Sequence, residues 1–97
     1  MTVDALRMAL RARLPGWAWG GRSPSRGSCG QPLITGRATQ DDRLTEWVLV
    51  VAADGDWTLD RVRFEGGEAR WTQEARGRWQ GADPQLVAGA IAHEVQL

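Results

Sequence analysis

Two dipeptides, Asp54-Gly55 and Gly66-Gly67, punctuate a stretch rich in β-branched and aromatic residues, and they limit what residues 44–79 can fold into. Each is a two-residue hairpin signal, because a type I′ turn needs positive φ at both central positions. The stretch therefore predicts three antiparallel strands over residues 44–53, 56–65 and 68–76.

Two-residue loops fix the register. Around Gly66-Gly67 the expected partners are Glu65 with Glu68, Phe64 with Ala69, Arg63 with Arg70, and Val62 with Trp71. Around Asp54-Gly55 they are Ala52 with Trp57, Val50 with Leu59, Val48 with Arg61, and Trp47 with Val62. One face then collects Thr45, Trp47, Leu49, Val51, Val62, Phe64, Ala69 and Trp71. The other collects Glu46, Arg63, Glu65, Glu68 and Arg70 near the second turn, where the acids offset the facing arginines. Toward the first turn this second face turns apolar, with Val48, Val50, Ala52, Trp57 and Leu59. Either a further layer covers that end or a patch is exposed there, and an exposed patch is a partner site.

The flanks predict helices. Thr2 is placed to cap a first helix ending at Pro15-Gly16, with Val3, Leu6, Leu10 and Leu14 as its apolar stripe. Asp83 and Pro84 have the residue types favoured at the N-cap and first position of a second helix. Its stripe is Leu86, Val87, Ala90 and Ile91, extended by Val95 and Leu97. The expected fold is a single α+β domain over residues 1–97. It is a three-stranded antiparallel β-meander between an N-terminal and a C-terminal helix (α-β-β-β-α). The second helix covers the Trp47/Val62/Trp71 face. Leu33-Ile34-Thr35 and the Trp17/Trp19 pair have the pattern of extra short edge strands, and residues 38–43 read as loop.

Six Trp beside one Phe and no Tyr require a use, in the core or in stacking on a ligand. All twelve basic residues are Arg, the signature of a G+C-rich genome. Charge is zero overall but divided: residues 1–40 hold six Arg and one acid, while residues 41–97 hold six Arg and eleven acids. The halves neutralise each other if the basic segment folds back on the sheet. If it does not, Arg7, Arg11, Arg22 and Arg26 with Trp17 and Trp19 form an arginine–aromatic surface suited to single-stranded nucleic acid. Trp17 to Arg26 falls in the Gly/Ser-rich stretch 16–36, a long loop by composition.

Chemistry-bearing motifs are sparse. The lone Cys29 excludes an intrachain disulfide, and with the lone His93 it is the only thiol–imidazole candidate. One Cys and one His fall short of a zinc site. Asp54, Asp56 and Asp60 lack the spacing of a calcium loop. No GxxxxGK[ST] loop is present, so no cofactor is expected. The longest apolar run, residues 47–53, is too short to span a bilayer, and no signal peptide is evident, which favours a cytoplasmic protein. The reading that follows is a non-enzymatic protein-interaction module using Val48, Val50, Trp57 and Leu59, with self-association included. The alternative is a nucleic-acid binder using the arginine–tryptophan segment, and a small hydrolase or nuclease is least favoured.

Overall fold

A computed structural model describes residues 3–20, 31–40 and 44–95. Helix α1 (Val3–Arg13) is followed by strands β1 (Ala18–Trp19), β2 (Pro32–Thr39), β3 (Thr45–Ala52), β4 (Asp56–Glu65) and β5 (Glu68–Arg78), then helix α2 (Pro84–Val95). The strands form one antiparallel sheet in the order β1-β2-β3-β4-β5. The three expected strands are joined by β1 and β2, which form where the Trp17/Trp19 pair and Leu33-Ile34-Thr35 suggested short edge strands; β2 is longer than expected, and Ala38 and Thr39 belong to it rather than to a loop. The reason lies in β3. Every residue from Trp47 to Ala52 is buried. A strand apolar on both faces belongs in the interior of a sheet, so β3 needs a second neighbour, which β2 supplies.

The Gly66-Gly67 turn gives the expected register. Both glycines take positive φ, 58° and 82°, and Glu65↔Glu68, Phe64↔Ala69, Arg63↔Arg70 and Val62↔Trp71 are all paired. The other hairpin departs by one residue. Its partners are Val51↔Trp57, Leu49↔Leu59, Trp47↔Arg61 and Glu46↔Val62. Gly55 takes positive φ, 97°, and its N–H donates to the Ala52 carbonyl at 3.2 Å. The Asp54 carboxylate accepts the Asp56 N–H at 3.0 Å. Ala53, Asp54 and Gly55 therefore make a three-residue loop, the common alternative to a type I′ turn. Two further contacts secure it: the Gly55 carbonyl accepts the Trp79 N–H at 2.9 Å, and the Trp79 indole N–H donates to the Ala52 carbonyl at 2.8 Å.

One residue of slip exchanges faces. Trp57 and Leu59, expected beside Val48 and Val50, lie instead in the helix-covered core with Trp47, Leu49 and Val51. Val62 and Trp71, expected beneath the C-terminal helix, lie on the opposite face with Val48 and Val50. Phe64 and Ala69 follow Val62 and Trp71 by register, and Phe64 is 44% exposed rather than core. The helices pack on each other and complete the core with Leu6, Leu10, Leu14, Val87, Ala88 and Ile91.

The stripe on α1 is as expected, whereas α2 is rotated: Ala88 and Ala92 are buried, and Leu86 is 73% exposed. Small residues on that face admit α1, and the Arg13 guanidinium lies close to Gly89. Asp83 caps α2, its carboxylate accepting the Gln85 N–H at 2.8 Å. Thr2, the expected cap of α1, lies outside the described residues.

Two of the tryptophans occupy positions opposite strand glycines. Trp19 is the register partner of Gly36, and Trp57 that of Gly77. A Cβ at Gly36 would fall 2.5 Å from the Trp19 ring, and one at Gly77 would fall 2.8 Å from that of Trp57. Each indole therefore lies flat over the space its partner leaves open.

Candidate interaction face

The helices leave one face of the sheet to other uses. Along β3 and β4 this open face takes the alternate residues Glu46, Val48 and Val50 with Thr58, Asp60 and Val62. Neighbouring strands add Thr35 and Arg37 on one side and Trp71 and Gln73 on the other. Val48, Val50 and Val62 are buried as a small cluster against which Trp71 packs. Among the described residues, no helix lies over it.

Toward the Gly66-Gly67 end the apolar surface comes into the open. Phe64 donates its N–H to the Leu44 carbonyl at 2.8 Å, and Phe64 pairs with Ala69. Leu44, Phe64 and Ala69 thus make one row across three segments, next to the Glu46–Val62–Trp71 row. Leu44 is 49% exposed and Phe64 44%. Met8 and Leu86, the other large apolar side chains in the open, belong to the helices, so Leu44 and Phe64 are the exposed pair of the sheet among the described residues.

The charges around this surface are mostly paired. Arg37 is bonded to Glu46. Arg78 holds Asp56 at 3.1 Å. Asp60, between Val48 and Gln73 in register, has its carboxyl pushed above the ordinary carboxylate range because burial strips water from the charged form. At the Asp54 end the face opens into a cavity of about 590 Å³ lined by Val50, Ala52, Thr58, Gln73, Arg76 and Arg78, among others.

Of the four residues expected from sequence to form a partner site, Val48 and Val50 belong to the open face but are buried there, at 2% and 6% exposure, while Trp57 and Leu59 lie in the core beneath the helices. Leu44, Phe64 and Trp71, not expected on this surface, lie on the open face as well. Their signal was present in the Gly66-Gly67 register, which already placed Phe64 and Trp71 on one face; the other hairpin assigned that face to the helices.

On the helix side beyond the helices, Arg63 faces Arg70 as expected, with Arg63 bonded to Glu65. Glu46, expected beside Arg63, instead sits with Val62 on the open face. Arg61 lies 5.8 Å from the Trp47 ring centroid and 2.8 Å from Glu74.

The arginine–tryptophan segment is partly assembled. Arg7, Arg11 and Trp19 line a cleft of about 200 Å³ with Gly20 and residues 32–35. Arg7 is already bonded to Asp4 and donates to the Leu33 carbonyl at 3.3 Å. Trp17 and Trp19 stack on each other at 5.8 Å and pack over Gly36, half-buried. They anchor the chain onto the sheet. Arg22, Arg26 and Cys29 lie outside the described residues, and His93 is exposed on α2.

Among the described residues there is no group of three or more metal-ligating side chains, and no helix is long and apolar enough to cross a membrane. No protein-family model, curated protein or solved structure matches the chain.

Proposed function

We propose that the protein is a non-enzymatic interaction module whose open sheet face docks a second copy of the chain. The observation that carries this reading is the exposed Leu44–Phe64–Ala69 row, continuous with Val62 and Trp71 on a face that no described helix covers. Contiguous apolar surface of this kind marks an interaction site.

Two features favour a second copy, seated face to face. Isologous contact places a patch on itself, so its charges must not repel their own images. Arg37 and Glu46 beside the patch are already bonded to each other, leaving no net charge there. Addition at the β5 edge is disfavoured. That edge carries charged residues and a bulge where the pairing steps from Asp60↔Gln73 to Leu59↔Ala75, both of which blunt strand addition. Sheets stacked through their apolar faces need neither edge.

Sedimentation velocity over a concentration series tests the proposal. The expected result is a shift from monomer to dimer that Phe64→Ser abolishes. A wild-type chain that stays monomeric throughout removes the second copy as the occupant.

The cleft that joins Arg7, Arg11 and Trp19 supports a second reading, single-stranded nucleic-acid binding. Trp emission titrated with oligonucleotides at low salt tests it. Saturable quenching that weakens with salt supports it, and absence of quenching at high micromolar oligonucleotide removes it.

A further inference from the structure

The cavity at the Asp54 end of the open face lies at the opposite end from the Phe64 patch and makes its own chemical demand. Its floor is Val50 and Ala52 from β3, with Thr58 from β4. Its rim is Gln73, Arg76 and Arg78 from β5 facing Asp54 and Asp56. About 590 Å³ is within the range of small-ligand sites, which combine apolar walls with a few converging polar groups.

The charges of the rim are not equivalent. Arg78 is held by Asp56 at 3.1 Å. Asp54 is turned back on its own loop, its Oδ1 accepting the Asp56 N–H at 3.0 Å. Arg76, exposed and opposite Thr58 in register, has no ion pair among the described residues. One guanidinium is thus left to a ligand at the edge of an apolar floor. The two arginines and two aspartates sum to zero, so the cavity offers no long-range attraction to a bare anion. A ligand has to supply apolar surface for Val50 and Ala52 as well as an anionic head for Arg76. A carboxylate matches the planar guanidinium fork, which bonds it through two parallel N–H···O contacts.

The geometry points to a binding site for an apolar carboxylate, a small acid with a hydrocarbon or aryl body, its head on Arg76 and its body over Val50 and Ala52. The cavity lies at the other end of the same face from Phe64, and the inference does not require a second copy docked there.

Amide NMR spectra of the full chain test this with 4-phenylbutanoate and octanoate as probes. Acetate and 4-phenylbutanamide serve as controls, one lacking the body and the other the charge. Saturable shifts are expected at Val50, Ala52, Thr58 and Gly77 with at least one of the two probes. Arg76→Gln, at an exposed position that leaves the core intact, should weaken that binding roughly tenfold or more, the usual effect of losing a charged hydrogen-bond partner. Phe64→Ser should leave it unchanged. The inference is overturned if neither probe saturates, if the amide or acetate binds as well as the acids, or if Arg76→Gln binds like the wild type.

Discussion

Gly77 and Asp60 show how much single positions decide in a sheet this thin. Gly77 is not a weak point in β5, because the Trp57 indole occupies the space a side chain would take. Gly77→Ala places a methyl group 2.8 Å from a ring that the core already confines. Overpacking of this kind should cost about 1–3 kcal/mol, measured by urea denaturation. Asp60 acts in the opposite sense. Its raised pKa means that the folded state disfavours the ionised form. The penalty is complete above the folded pKa and fades as pH falls through it. Asp60→Asn should therefore raise Tm at about pH 7, and the gain should vanish by about pH 3, where the carboxyl is protonated in both states. An equal gain at both pH values would mean that charge is not the cause.

At the scale of elements, the three-residue loop Ala53-Asp54-Gly55 decides which side of the sheet each β4 residue faces. Deleting Ala53 leaves Asp54-Gly55 as a two-residue turn between Ala52 and Asp56, which keeps Val51 opposite Trp57 and Leu49 opposite Leu59. The variant should therefore keep a dispersed amide spectrum and cooperative unfolding. Loss of that dispersion would show that the three-residue loop itself is required. Asp83→Ala removes the cap on α2 and should cost about 1 kcal/mol.

Much of this level was legible in the chain. The Gly66-Gly67 register, the α1 stripe, the Asp83 cap and the existence of β3, β4 and β5 all follow from local chemistry. Asp54-Gly55 was ambiguous, because the dipeptide fits a two-residue turn and also the end of a three-residue one. The choice is made by distant groups, Trp79 bonding to Ala52 and Gly55, which no local pattern contains. The full length of β2 is hidden for a similar reason: it is required by β3, not by the sequence of β2 itself. The slip also separated Trp57 and Leu59, which lie on the helix-covered face, from Val48 and Val50.

For the whole molecule, the structure is a two-layer arrangement with a helix-covered face, an open face and a bulged, charged edge. The covered face holds the main core. Trp47→Ala, at its centre and 5% exposed, should cost about 3–5 kcal/mol, a large share of what a domain this small possesses. Phe64→Ser should change stability little, since Phe64 is already half in water; its effect belongs to association. Comparing wild type and Phe64→Ser by sedimentation velocity, from about 1 to about 500 µM, separates folding from docking by mass action. The wild-type sedimentation coefficient should rise from monomer to dimer with concentration, and the Phe64→Ser chain should stay monomeric with an unchanged Tm. A wild-type coefficient that does not move, or a Phe64→Ser chain that dimerises equally well, would contradict docking of a second copy through the Phe64 patch.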